Sequence, residues 1–293
     1  MTLSAVSQGP SGSGGAWRAS RTPEGPVTLR LRVVAGAGAG RQRILAEAWG
    51  PGAAWAVAQA PELVGVGDLL DGFDVVARRH PLVEELHRRH RRFRLPHTRR
   101  VYEAMVPTIC AQKVTGLEAR RSYRGILRTW GEAAPAAEGV AGAPRLRLLP
   151  APEVLAAQPS WAFHALGLER RRAEALLRVA AAAARLEEAA AMADRVAARR
   201  RLRALAGVGV WTSAEVALVA LGDADAVSVG DYHLPNVASW HLAGEPRGTD
   251  ERMLELLEPF RPHRGRVLRL LEVGAGGAPR YGPRMPLRAF ERQ

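Results

Sequence analysis

A chain of 293 residues, 47% of them hydrophobic, can hold one large domain or two ordinary ones and bury a real core. Its formal charge of +13 rests almost wholly on arginine, with Lys113 the only lysine; this favours a polyanionic partner such as nucleic acid, although a GC-rich genome alone would explain the Arg-to-Lys ratio. Lone Cys110 excludes a disulfide framework, a thiolate zinc site and a four-cysteine iron–sulfur cluster, and no run nears the ~18 apolar residues of a membrane span or the layout of a signal peptide, so a soluble, cytoplasmic protein is expected.

Residues 1–26 are Ser/Gly/Pro-rich, with little to bury, and are expected to be disordered. Val27 to Val34 alternates apolar and polar residues, the pattern of a half-buried strand. Ile44-Leu45-Ala46 and Ala54-Trp55-Ala56-Val57 are further short apolar pieces, so 27–95 is expected to form a small α/β or β-rich domain closed by a basic helix. That helix, between Arg78 and Arg100, has nine arginines against two glutamates and a stripe of Leu82, Leu86 and Phe93. A phosphate-facing role and a merely solvated face fit it equally. His87 and His90 lack a carboxylate or thiol partner in the sequence, and no metal site is expected there.

From 96 to 293 the pattern is helical. Pro96-His97-Thr98 is a helix start leading into Tyr102, Met105 and Ile109; residues 131–150 read as a connection; Pro150 to Glu153 and Gln158-Pro159-Ser160 open further helices, and Leu168 to Leu186 is a long alanine-rich one. After another helix ending at Leu205 comes Gly207-Val208-Gly209, and helical spacing resumes from Thr212 to Leu221. Two glycines flanking one inward-pointing apolar residue permit a tight turn with positive φ, and they aim the next helix's N-terminus, with its free amides, outward toward a phosphate. Many structural turns carry the same three residues. Twenty-two positions after Gly209, an extended Ala226–Gly230 leads into Asp231-Tyr232-His233-Leu234-Pro235. Pro235 fits only the first turn of a helix, so Asp231 stands at or just before a helix start. Position alone leaves a simple N-cap and a catalytic carboxylate both open.

Gly207-Val208-Gly209, Trp211-Thr212 and Val229-Gly230-Asp231-Tyr232 resemble the helix–hairpin–helix/Gly-Pro-Asp superfamily of DNA glycosylases, and within it the alkylpurine branch typified by 3-methyladenine DNA glycosylase II. Ile109-Cys110-Ala111-Gln112, Pro152-Glu153-Val154-Leu155, Leu166-Gly167-Leu168 and Arg172-Ala173-Glu174-Ala175-Leu176 follow in the family's order, so the resemblance spans roughly Leu95 to Leu271. It implies a mostly α, two-lobed helical domain beside the smaller N-terminal one. It also implies a monomeric base-excision enzyme that flips a damaged purine out of double-stranded DNA and hydrolyses its glycosidic bond. Asp231 corresponds to the essential aspartate. Gly207, Val208, Gly209 and Thr212 correspond to the phosphate-gripping hairpin, whose carbonyls often hold a monovalent cation in this family. Trp211 occupies the position of the lysine that bifunctional members use to attack the sugar, which implies an enzyme without lyase activity. Trp211 and Tyr232 are expected to wall the base pocket, where a π-face suits a cationic alkylated purine; ordinary packing is the alternative for Trp211.

Gln112 is expected to face DNA, as is Lys113, which stands where the alkylpurine branch usually has an apolar wedge. Glu215 replaces an aromatic pocket residue, so the substrate range does not transfer. His233 is placed to reach DNA, and Arg261-Pro262-His263-Arg264 could add phosphate contacts. A DNA-binding protein without catalysis, a glycosylase for another damaged base, and a helical scaffold with solvated arginines remain as other readings.

Overall fold

In the computed structural model, residues 15–35 and 42–279 are described, together with the backbone of Val6–Gln8. The strands are β1 Val6–Gln8, β2 Ala16–Thr22, β3 Gly25–Ala35 and β4 Gln42–Trp49. The helices begin with α1 Ala53–Leu63, α2 Phe73–Ala77, α3 Pro81–Arg89, α4 Val101–Cys110, α5 Gly116–Trp130, α6 Pro152–Ala156 and α7 Arg170–Ala181. They continue with α8 Ala183–Glu187, α9 Arg195–Arg203, α10 Val210–Ala220, α11 Leu234–Ala243, α12 Asp250–Leu257 and α13 Arg264–Gly274. The mostly α architecture is the expected one. The described chain forms two compact units interleaved in sequence: residues up to Pro61 with Tyr102–Ala183, and Glu62–Val101 with residues from Ala184 on.

Two expectations about the N-terminal part are corrected here. Residues 16–26, expected to be disordered, contain β2 and the start of β3, because Trp17 and Ala19 have apolar surface to bury and do so. Nor is 27–95 a domain of its own, since its first part joins one unit and its second part the other. The four strands make an antiparallel sheet in sequential order, with β2 and β3 joined at a tight turn where Gly25 has φ +124°. The indoles of Trp17 and Trp49 stack at 5.8 Å. Glu103 of α4 ties this sheet to the helices, accepting hydrogen bonds from Arg18, the Ser20 hydroxyl and the Arg21 amide.

In the same unit, α4 buries Met105, Val106, Ile109 and Cys110. Burial pushes the Cys110 thiol up to about 12, against the opposing charge of Arg172. That arginine is itself buried and donates to the carbonyls of Cys110 and Gly167, so it locks the C-terminal end of α4. Just beyond lie Gln112, half-buried, and Lys113, exposed with φ +54°. Thr115 and Glu118 then start α5 with a reciprocal capping box. The long helix expected over 168–186 breaks at Ala182 into α7 and α8. Residues 131–150 are an irregular connection, as expected, pinned by a bridge between Ala133 and Arg147.

The second unit is built on a core of Phe73 and Leu86 from α2 and α3, Leu234 from α11, Met253 and Leu257 from α12, and Leu268 from α13. The basic helix is shorter than its arginine run: α3 stops at Arg89, and residues 93–100 form neither helix nor strand. There Thr98 and Arg99 donate their amides to Val219 and Ala220, closing the open end of α10. His87, which lacked a visible partner in the sequence, pairs with Asp74 at 2.7 Å.

Candidate active site

The hairpin begins with α9, whose first amides, those of Val196 and Ala197, are held by Asp194 Oδ1. Past its end the Val208 amide bonds back to the Leu205 carbonyl at 3.0 Å, and Gly207 takes φ +96°, a conformation that favours glycine. Val208 is 5% exposed and pins the turn to the core, as its apolar side chain between two glycines implies. Gly209 then caps α10 with no side chain, and a Cβ added there would meet nothing within 4 Å. The hairpin therefore presents a bare backbone and a helix N-terminus to the outside, an arrangement suited to an anion.

The carboxylate is delivered by the segment 224–230. Ala226, Val227 and Ser228 are buried, and Arg266 at the start of α13 donates its amide to Ala224. Gly265 is needed at the crossing because a Cβ would lie 2.3 Å from the Ala226 carbonyl. Gly230 turns the chain with φ +89°, its amide donating to both oxygens of Asp250 at 3.0 Å. Asp231 follows, its own amide on the Ser228 carbonyl. Oδ1 of Asp231 accepts the amides of His233 at 2.7 Å and Leu234 at 3.0 Å, and Oδ2 accepts the indole N–H of Trp211 at 2.9 Å. Asp231 therefore caps α11, and the N-cap and catalytic readings fall on one half-buried carboxylate that faces the hairpin helix. Trp211, Asp231, Tyr232, His233 and the hairpin share one unit, and Gln112 and Lys113 lie in the other.

Other expected residues fall less neatly. Tyr232 is 76% exposed, its ring edge-on to His233 at 5.0 Å, and His233 is exposed too. Thr212 is 2% exposed, its side chain turned to the interior from the first turn of α10. Glu215 accepts from the Ser228 hydroxyl and pairs with Arg269, which also holds Glu272. Arg264 is bonded to Asp225, and Arg261 to Glu258 and Asp225, so both arginines of the stretch that could add phosphate contacts form ion pairs within the chain. Asp250 and Arg269 were missed. Asp250 sits three residues into a Gly-Thr-Asp helix start, which reads as ordinary capping, and nothing in the sequence marks its contact with residue 230.

A helical unit with a Gly-x-Gly hairpin and an aspartate capping the next helix belongs to a fold shared with solved DNA glycosylases. Among solved structures it is similar to the 3-methyladenine DNA glycosylase of Archaeoglobus fulgidus, with a TM-score of 0.73 and 18% identity over 90% of this chain and 88% of that one. It is also similar to the 8-oxoguanine glycosylase/lyase of Clostridium acetobutylicum, at 0.65 and 14% over 90% of each chain. A third neighbour is a Schizosaccharomyces pombe 3-methyladenine DNA glycosylase in complex with abasic DNA, at 0.52 and 17% over 66% of this chain and 90% of that one. No family model and no curated protein sequence matches the chain.

Proposed function

We propose that the chain is a monofunctional DNA glycosylase of base excision repair, acting on alkylated purines in double-stranded DNA. The observation that carries this reading is Asp231, held by three N–H donors at a helix start and tied to the first turn of the hairpin helix. The hairpin Gly207-Val208-Gly209 grips the backbone beside the lesion at the open N-terminus of α10, and the damaged nucleotide is flipped out at a cost of ~a few kcal/mol. As the glycosidic bond breaks, its electron pair leaves with the base and positive charge grows on the sugar. The Asp231 carboxylate stabilises that charge and takes the proton of the water that attacks the anomeric carbon. His233, beside the carboxylate, and Gln112 and Lys113, at the end of α4, provide further DNA contacts, and the enzyme works as a monomer.

The subtype rests on Trp211. The fold is shared by a glycosylase and a glycosylase/lyase, so it does not separate the two, but an indole cannot form a Schiff base and the hairpin has no lysine. The alkylated-purine preference is supported by the π-face of Trp211, by Tyr232 next to Asp231 in the chain, and by the two neighbours described as 3-methyladenine glycosylases. A monovalent cation in the hairpin would be held by backbone carbonyls alone. Neutral oxygens suit such an ion, and no group of three His, Cys, Asp or Glu among the described residues offers another metal site.

Base release from a panel of duplexes, scored before and after alkali, tests the reading. Asp231→Asn should lower release about 10²–10⁴-fold while leaving duplex affinity intact. Strand cleavage without alkali would overturn the monofunctional assignment. Duplex binding with no release by the wild type would leave a DNA-binding protein only.

A further inference from the structure

Asp231 has two oxygens with about four acceptor positions between them. Oδ1 accepts two backbone amides, from His233 and Leu234, which fill it. Oδ2 accepts one donor, the indole N–H of Trp211, and so keeps one position open. Among the described residues nothing else donates to it, so that position is the one left to meet a water or a developing positive charge. We infer that Trp211 is a positioning residue for Asp231: its N–H fixes the carboxylate rotation and thereby aims the free lone pair of Oδ2.

The geometry favours this role over that of a base wall alone. Trp211 stands in the first turn of α10 and Asp231 at the corner before α11, so the bond joins the starts of two successive helices across 20 residues of chain. The amides on Oδ1 belong to the backbone, so among the described residues the indole is the one side-chain donor to the carboxylate. Without it the carboxylate pivots about its Oδ1 contacts and Oδ2 turns to solvent. A misplacement of about 1 Å at a reacting group costs on the order of 10²-fold in rate. The inference rests on the glycosylase reading given above.

Trp211→Phe keeps an aromatic face and removes the donor; 3-benzothienylalanine at position 211 keeps the whole indole shape and replaces N–H by sulfur. Both should lower single-turnover release by about 10–100-fold on every lesion the wild type accepts, with duplex affinity unchanged. Trp211→Phe combined with Asp231→Asn should be no slower than Asp231→Asn alone. Wild-type rates in the benzothienyl protein, or a loss confined to one lesion and accompanied by weaker binding, would overturn the inference. A wild type that releases no base defeats the glycosylase reading instead. The inference is then decided by the ¹⁵N-labelled indole signal that vanishes in Trp211→Phe. Its solvent exchange should quicken in both Asp231→Ala and Asp231→Asn, and unchanged exchange in both would refute the bond.

Discussion

Glu215 shows how one side chain changes meaning once its neighbours are known. In the sequence it is a carboxylate where the family resemblance implies an aromatic, which suggests an altered pocket. In the structure it receives Ser228 from the segment that leads to Asp231 and pairs with Arg269 of α13, both partners being largely buried. Burial alone would lower the Arg269 pKa, but the charges of Glu215 and Glu272 outweigh it and hold the guanidinium ionised. Removing one member of such a pair leaves a buried charge with less compensation. Glu215→Ala is therefore expected to destabilise the fold by about 3 kcal/mol, the low end for a buried pair because Arg269 retains Glu272. Urea unfolding measures this, and an effect below about 1 kcal/mol would place Glu215 among ordinary surface pairs.

At the scale of the element, the hairpin separates two glycines that look alike in the sequence. Gly207 has φ +96°, so Gly207→Ala forces a left-handed alanine and should cost about 1–2 kcal/mol of stability. Gly209 has φ −87° and open space where a Cβ would go, so Gly209→Ala should leave the melting temperature almost unchanged. What that methyl would obstruct is the approach of a phosphate. Duplex affinity should fall in Gly209→Ala, and equal affinity in the two proteins would remove the hairpin from the DNA contact. The hairpin was legible because its signal is local: two glycines, one buried valine and a helix on each side. Asp231 was legible for the same reason, since Pro235 fixes a helix start. The bonds from Trp211 to Asp231 and from Gly230 to Asp250 each cross 20 residues, and no periodicity or turn chemistry encodes a contact at that range. Strand β2 was missed for a compositional reason, as Ser, Gly and Pro around Trp17 hid a segment whose burial depends on its partner strand.

For the whole molecule, the net charge of +13 overstates the basic surface. Arg172, Arg264 and Arg266 are buried; Arg264 and Arg266 pair with Asp225 and Asp68, and Arg172 serves backbone carbonyls. Two histidines share that interior. Burial, reinforced by Arg195 and Arg99, lowers the pKa of His97 despite Glu62 beside it, and burial together with Arg266 lowers that of His263 despite Asp68 and Asp225. Both are held neutral in the folded chain, whereas in the unfolded chain they titrate near 6.5. The unfolded state therefore binds protons first as the pH drops, and stability falls with it. The contribution should be complete above about pH 6.5 and be lost progressively as the pH falls through the lowered folded values, well before most carboxylates titrate. Urea midpoints measured between pH 8 and pH 5 should show this decline. His97→Gln and His263→Gln, which cannot take up a proton, should each flatten it, and a double variant with the wild-type slope would assign the acid sensitivity to the carboxylates of the ion-pair network instead.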